Sequence, residues 1–510
     1  MSVDPPTYLT ALQNNIRTRP IPWDGAVRAG TVLEWQLAKI RAVDKVKKDA
    51  RKQAVESDLD GYRILFVGGS GADQPSVLQS AARRTDVVQY ILVLLSDLLE
   101  AIPALAKAIL ADSSSSSSSE TDPYRNILPL LAHSTNSDDP IPLLTSTVLT
   151  SLMSAARDES PATLTRALPS LLSYLSTLAQ QSADAGLQDI GVLLSSALLY
   201  SSATRQQAWA QRSETVAPLV KILRAAAGVS TNGGEDTSAS LWRATGAEGV
   251  SSNGANSGDL AAASRVGALL EGSISGGVGL QLLYHVLLVL WQLSFDAAEV
   301  GDDLNDEYDI VLLYTQLLRL SPKEKTTRLL VSTLFNLLSS NRSTLLPTAV
   351  LARLPVLLKN VAGRQHADTD LQDDLQQLRD LLDEYTATKT TFDEYVAEVN
   401  TGHLRWSPPH RSTVFWAENA RRILDDDNGA IPRKIAEIMS KPWDNDKAVL
   451  AIACNDIGSL VREVPEKRSA LEKLGLKTRV MQLMGDSDES VRWESLQALG
   501  GWLKYSFETK

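Results

Sequence analysis

Apolar residues recur at three- and four-residue steps along most of the chain, and this spacing restricts the possible folds more than any other feature. One series runs from Val87 to Leu99 and another from Leu164 to Leu178, with further series at 193–199, 216–223, 280–293, 310–318 and 329–338. This period places apolar side chains on one face of an α-helix. Only 5% of the residues are aromatic, which also disfavours sheets. We predict an all-α protein made of many short antiparallel helices.

Two motifs return at intervals of a little over forty residues. The pattern of Asp446–Gly458 recurs in Asp488–Gly500, 42 residues further on, and Leu290–Ser294 is echoed by Leu334–Leu338 after 44 residues. These intervals are typical of armadillo and HEAT repeats, in which each helix pair has an apolar face that only its neighbour can cover. We therefore predict a right-handed helical-repeat solenoid. The aspartates that open the first two segments are predicted helix N-caps.

A chain of 510 residues exceeds one ordinary hydrophobic core, so more than one domain is expected. We predict an N-terminal helical-repeat domain at 1–362, a short hinge at 363–370 and a C-terminal helical-repeat domain at 371–510. Two inserts, at about 113–121 and 228–258, are rich in Ser, Gly, Asn and Thr, and we predict that they are flexible loop expansions.

The charge and the cysteine content exclude several classes of protein. A net charge of −11 argues against a nucleic-acid partner, because such proteins usually present a basic face. The lone cysteine, Cys454, cannot form an intramolecular disulfide and fits a reducing compartment. The first ten residues have no apolar core and no basic leader, so we expect no secretory signal. We also expect the apolar run Leu280–Leu293 to be too short to cross a bilayer. We expect membrane association only through partners.

The sequence contains no local motif for catalysis or for cofactor binding. Its five histidines show no metal-binding spacing, and no glycine loop ends in the Gly-Lys-Ser/Thr that a phosphate site needs. We predict that His285 is a core residue with one hydrogen bond and that Cys454 is a small buried filler. The chain is therefore expected to have no cofactor and no active site of its own.

The segment Leu404–Asn419 has an unusual composition, with two tryptophans, a Pro-Pro pair and a Phe-Trp pair in sixteen residues. Proline rings fix φ and remove N–H donors, so we predict that the Pro-Pro pair prevents helix through Pro408 and Pro409. Helix is expected to resume at about Ser412, whose hydroxyl is a good N-cap.

This segment resembles a signature of the H subunit, which is the regulatory subunit of the vacuolar-type proton-translocating ATPase. Residues 406–419 follow the pattern W-S-P-x-H-x-S-x-x-F-W-x-x-N, and Ala453–Gly458 resembles the A-C-H-D-I-G box with Asn455 in place of histidine. Three stretches further on are also similar to family motifs. Gly475–Met481 resembles G-x-K-x-R-V-M, Leu483–Met484 resembles L-M, and Asp488–Arg492 resembles D-x-x-V-R. The match is dense over about the last hundred residues and looser elsewhere, and Pro409 and Asn455 depart from it.

The resemblance implies a non-catalytic regulatory subunit of the soluble sector of the vacuolar proton pump. Such a subunit supports coupled ATP hydrolysis and proton transport in the assembled pump, and it inhibits hydrolysis by the released soluble sector. Its partners would be peripheral-stalk subunits, the catalytic sector, the rotor and the soluble arm of the membrane sector. It would lie on the cytoplasmic face of vacuolar membranes and enter the cytosol when the soluble sector is released.

The signature segment also supplies the candidate binding residues. Aromatic and arginine side chains are enriched at interface hot spots, so a partner-binding edge is one interpretation. The other is a local staple that ties the segment to the C-terminal solenoid, because aromatic side chains bury well. The candidate partner-binding residues are Arg405, Trp406, His410, Arg411, Phe415 and Trp416.

Two other classes of function have weaker support. An armadillo-type adaptor that binds cargo peptides would carry a ladder of Trp and Asn four residues apart. Here Trp291 is followed at that step by Phe295, and Asn336 is preceded by Ser332, so the ladder is missing. An enzyme has no supporting constellation, although sites assembled from distant residues leave no local motif.

Overall fold

The structure is a computed structural model, and it describes residues 7–69, 74–111, 122–134, 139–155, 161–229, 278–321, 323–443 and 446–508. These residues are predominantly helical, and no β-strand occurs among them. The predicted all-α class is therefore confirmed. The insert at 228–258, apart from its first two residues, and the serine tract within 113–121 lie outside the described residues.

The α-helices are numbered here along the described residues. They are α1 Thr7–Thr18, α2 Trp23–Arg28, α3 Glu34–Val43, α4 Lys48–Glu56, α5 Leu59–Val67, α6 Val77–Ser80, α7 Thr85–Ala101, α8 Pro103–Leu110, α9 Pro140–Ala155, α10 Pro161–Ala179, α11 Ala185–Leu198, α12 Ser202–Ala210, α13 Arg212–Thr215, α14 Ala217–Ala226, α15 Leu280–Leu293, α16 Ala297–Tyr308, α17 Ile310–Leu320, α18 Glu324–Ser340, α19 Arg342–Leu351, α20 Leu354–Ala362, α21 Thr369–Ala387, α22 Thr391–Thr401, α23 Pro408–Arg411, α24 Thr413–Asp425, α25 Ala430–Ser440, α26 Lys447–Glu463, α27 Arg468–Lys473, α28 Leu476–Leu483 and α29 Glu489–Glu508.

The chain divides into two compact units, one formed by Met1–Leu223 with Val278–Asp296 and the other by Arg224–Gly277 with Ala297–Lys510. In the first unit, α7 packs on α9 and α10 packs on α11. In the second unit, α18 packs on α21, and α26 packs on both α24 and α29. Within each unit, helices close in sequence cover one another's apolar faces, as the helical-repeat prediction requires.

Helix boundaries follow from local chemistry at several joints. Asp488 Oδ1 accepts hydrogen bonds from the backbone N–H groups of Ser490 and Val491, which confirms its predicted role as an N-cap. Asp446 occupies the N-cap position of α26, but its side chain makes no capping bond there. Pro103 begins α8, where a missing N–H costs little.

Helical structure extends beyond the apolar run Leu280–Leu293. The run Leu280–Leu293 was predicted to be too short to cross a bilayer. That prediction was wrong, because helical structure continues through Ser294–Asp296 to Tyr308. By length and composition alone this 29-residue stretch could cross a membrane, and its best window has a mean hydropathy of 1.3. Its first part, α15, packs on α11 in the first unit, and buried His285 contacts Asp189 there through Nδ1 and Oδ1, 2.6 Å apart. The predicted core role of His285 is confirmed.

Candidate partner-binding site

The signature segment forms more helix than its prolines suggested. Residues Pro408–Arg411 form the single turn α23, so the prediction of no helix through the Pro-Pro pair was wrong. The two prolines occupy the first two helical positions, whose N–H groups have no intrahelical partner in any helix. The Ser412 hydroxyl accepts a hydrogen bond from the Phe415 N–H at 3.1 Å and caps α24, as predicted.

His410 is fully buried between two carboxylates from different helices. Its Nδ1 lies 2.8 and 2.9 Å from the two carboxylate oxygens of Asp456 on α26, and its Nε2 lies 3.1 Å from Oε1 of Glu398 on α22. The Tyr395 hydroxyl donates to Asp456 Oδ2 at 3.2 Å. A single imidazole thereby connects α22, α23 and α26. We call Tyr395, Glu398, His410 and Asp456 the buried polar cluster.

Glu398 also holds the polypeptide that leads into α23. Its Oε1 accepts a hydrogen bond from the Arg405 backbone N–H, and its Oε2 accepts one from the Ser407 hydroxyl at 2.7 Å. The carbonyl of His410 accepts hydrogen bonds from Asn455 Nδ2 at 2.8 Å and from Trp416 Nε1 at 3.3 Å. Asn455, one of the two departures from the resemblance described above, thus donates a hydrogen bond to the segment.

Aromatic rings pack around this cluster. Tyr395 contacts His410, Phe415 and Trp416 with ring centroids 5.3 to 5.5 Å apart, mostly edge to face, the geometry that aromatic quadrupoles favour. Phe415 and Trp416 are only 5% and 3% exposed. These side chains belong to the hydrophobic core of the second unit, which agrees with the staple interpretation.

The electrostatics of the cluster favour a charged imidazole. Burial acts to lower the pKa of His410, but the Asp456 and Glu398 carboxylates outweigh it and raise the pKa to about 10. Burial is the main cause that raises the pKa of Asp456; the Glu398 carboxylate adds to the shift, and the His410 imidazole opposes it. The pKa of the Tyr395 hydroxyl is raised far above its usual value, mainly by burial. Tyr395 therefore remains a hydrogen-bond donor.

This charge arrangement predicts a pH dependence of stability. The pKa of His410 rises from 6.5 in the unfolded chain to about 10 in the folded one, so its contribution is complete below pH 6.5 and is lost between pH 6.5 and 10. We expect the free energy of unfolding to fall by a few kcal/mol across that window. Urea unfolding of the wild type and of His410→Gln at several pH values measures this. An equal slope in both proteins would contradict the prediction.

Three of the candidate residues line a groove beside the cluster. Arg405 and Trp406 are half-buried, whereas Arg411 is exposed, and its guanidinium lies 5.1 Å from the centre of the Trp406 ring. Burial lowers the pKa of Arg405 to about 10, with Arg353 adding to the shift and Asp446 opposing it. Arg405 remains protonated at neutral pH.

The groove has a volume of about 620 Å³ and is formed by several elements of the second unit. Its walls come from the junction of α19 and α20, from α22, from the segment 404–411 and from the start of α26. Pro347, Val350 and Leu351 supply apolar surface, and Arg353, which also lines the groove, has a left-handed φ of 60°. Pro347 lies inside α19. Apolar walls with a few charged groups are typical of binding clefts.

The structure thus separates the six candidate residues into two sets. His410, Phe415 and Trp416 are buried in the core, and Arg405, Trp406 and Arg411 reach the groove. Sequence reasoning did not select Tyr395, Glu398 or Asp456 as site residues. Asp456 carried a signal, since an acidic residue stands alone within the apolar run of α26.

Two further observations bear on chemistry. Among the residues that the structure describes, no group of three or more His, Cys, Asp or Glu side chains could hold a metal ion. Cys454 is fully buried, and burial raises the pKa of its thiol to about 12, so it is an inert filler as predicted.

The fold and this site define a helical-repeat protein of the solenoid class.

Comparison with known proteins identifies the family. Two family models, both described as the H subunit of the V-ATPase, match residues 7–382 with the N-terminal model and 388–507 with the C-terminal model. The chain therefore belongs to the V-ATPase H-subunit family. It is 34% identical over 227 residues to the first of two probable V-type proton ATPase H subunits of Caenorhabditis elegans, with 43% of this chain and 49% of the relative covered.

Two other relatives give a similar result. The V-type proton ATPase H subunit of Drosophila melanogaster is 31% identical over 244 residues, covering 46% of this chain and 50% of the relative. A probable V-type proton ATPase H subunit of Oryza sativa is 31% identical over 217 residues, covering 42% and 46%. The chain thus spans about half the length of the curated relatives it matches.

Proposed function

We propose that this chain is a non-catalytic regulatory subunit of the soluble sector of a vacuolar-type proton pump. The observation that supports the proposal is the match to the V-ATPase H-subunit models along both parts of the chain. In the assembled pump the chain supports coupled ATP hydrolysis and proton transport. It acts at the cytoplasmic face of vacuolar membranes, and in the cytosol when the soluble sector is released.

The proposed partners follow from the resemblance to the H-subunit family, and we assign them to the two domains predicted above. The N-terminal domain binds the peripheral stalk, and the C-terminal domain contacts the soluble arm of the membrane sector. In the released soluble sector the C-terminal domain binds the catalytic assembly and the rotor instead. Inhibition is then mechanical, because a rigid body placed between stator and rotor blocks rotation without competing for nucleotide.

We propose that the two sets of signature residues have different roles in this contact. Arg405, Trp406 and Arg411 are accessible from the groove, so they would touch a partner directly. His410, Phe415 and Trp416 are buried and would hold the segment in position. This division reconciles the two interpretations of the segment, since a preorganised surface of arginine and tryptophan loses less side-chain entropy on binding.

The proposal predicts inhibition at a near-stoichiometric ratio. Purified soluble ATPase sector that lacks this chain is assayed for magnesium-ATP hydrolysis before and after addition of the purified chain. We expect most of the hydrolysis to be lost at about one chain per sector, because one obstruction is enough to stop a rotary mechanism. The chain alone serves as the control and should hydrolyse no ATP. Full hydrolysis at a large excess of chain would contradict the proposal.

A further inference from the structure

The outward face of α29 carries an apolar stripe that the described residues leave uncovered. Trp493, Leu496 and Leu503 are 59%, 50% and 50% exposed, and Gly500 is exposed between the last two. These four residues follow one another at three- and four-residue steps and therefore share one side of the helix. We call them the α29 stripe. In a repeat array, an apolar helix face is normally covered by the neighbouring helix.

Gly500 has no role within the described fold. A glycine inside a helix destabilises it relative to alanine, and what it offers in return is the close approach of a neighbouring backbone. Gly458 has such a reason, because a Cβ there would lie 2.9 Å from Cα of Ala498. A Cβ at Gly500 would meet nothing within 4 Å. The close approach that a glycine permits is therefore unused at Gly500.

The 42-residue repeat relates the α29 stripe to a face of α26 that another helix covers. It relates Trp493, Leu496, Gly500 and Leu503 in α29 to positions in α26 that are all buried, namely Ala451, Cys454, Gly458 and Val461. That face of α26 is the one that α29 covers, with Ala498 against Gly458 and Gly501 against Val461. The α29 stripe is thus equivalent to the face that the next helix of a repeat array would cover.

We infer that the α29 stripe binds one amphipathic helix of a partner protein, which stacks on α29 as α29 stacks on α26. The partner helix would place a small residue opposite Gly500, as Ala498 lies opposite Gly458, and aliphatic residues on either side. This inference rests on the proposed function, because the helix would come from the pump assembly. It adds a second contact region to the groove beside Trp406.

The size of the stripe favours a tethered partner over a second copy of this chain. Ten residues of helix extend about 15 Å. Two such stripes would bury far less than the roughly 1,200–2,000 Å² of a stable protein interface. A helix from a partner that is already held elsewhere needs no such area, since tethering raises its effective concentration.

The test uses the full chain and soluble ATPase sector stripped of its own copy of it. We compare the affinity of the wild type with that of Leu496→Glu, which places a charge on the stripe, and of Gly500→Leu, which blocks the close approach. Both should weaken binding at least about tenfold. Met481→Glu, a like change at an exposed apolar residue of α28, is the control and should bind as the wild type does. Gly500→Leu has open space, so its midpoint of thermal unfolding should stay unchanged or rise.

The outcomes separate the inference from the proposed function. Weaker binding by both stripe variants with an unchanged control supports the inference. Wild-type affinity in both variants overturns the inference and leaves the proposed function standing. A wild-type chain that does not bind the sector overturns both. Sedimentation that shows a dimer in the wild type and a monomer in Leu496→Glu would overturn the choice of partner in favour of a second copy.

Discussion

Replacing His410 by alanine is expected to lower the stability of the second unit by about 3–5 kcal/mol, because two buried carboxylates would lose their only cationic contact within the cluster. Asp456 is fully buried and Glu398 is 1% exposed, so water cannot replace the imidazole without a change of structure. The effect should be local to the helices that the cluster joins. Native-state hydrogen exchange measures it as a fall of more than about 100-fold in the protection of α26 amides.

A second histidine provides the control for this prediction. His133 makes a comparable contact, with its Nδ1 2.7 Å from Asp139 Oδ2, but the pair is partly exposed to solvent. His133→Ala should therefore cost less than about 1 kcal/mol. The double variant His410→Ala with Asp456→Ala should be less destabilised than the sum of its parts, since it removes one of the stranded charges. Equal small effects at both histidines would show that the buried polar cluster contributes little.

The helices of this fold were predictable because their signal is local. The leucine series from Leu164 to Leu178 becomes α10, and the capping hydroxyl of Ser412 begins α24 at the expected residue. The errors came where two local rules compete. Pro408 and Pro409 break a helix interior but begin a helix readily. The apolar run ends at Leu293, as α15 does, but helical structure continues through Ser294–Asp296 into α16.

The buried polar cluster was not predictable in the same way. His410 stands 12 residues from Glu398 and 46 residues from Asp456, and no spacing rule joins positions so far apart. The segment was recognisable by its composition, yet composition does not say which aromatic side chains face inward. Only the packing of α22, α24 and α26 places Trp416 in the core and leaves Trp406 at the groove.

The predicted hinge at 363–370 remains a prediction, and the contacts of α21 suggest how to test it. Leu371, Leu375 and Leu378 are buried on α21, which packs on α18 and α20. Arg328 on α18 also pairs with Asp368 and Asp370 at the start of α21, at 3.3 and 2.6 Å. A chain cut before α21 would expose the apolar face of α18. The match to the N-terminal family model ends at residue 382 and the match to the C-terminal model begins at residue 388. Both positions lie after the predicted hinge.

Truncation after Ala387, which keeps α21, is expected to leave binding to the peripheral stalk intact and to abolish inhibition of the soluble sector. The helix α21 keeps its packing on α18 and α20, whereas α19 loses its contact with α22, and the segment that bears Arg405, Trp406 and Arg411 is gone. Truncation after Ala362 should abolish inhibition too, but it should also unfold at a lower temperature because α18 loses its cover. Capture by purified stalk subunits, magnesium-ATP hydrolysis and thermal unfolding measure the three effects. Full inhibition by the 1–387 chain would show that the C-terminal domain is not the inhibitory element, and equal stability of the two truncations would favour a hinge at 363–370.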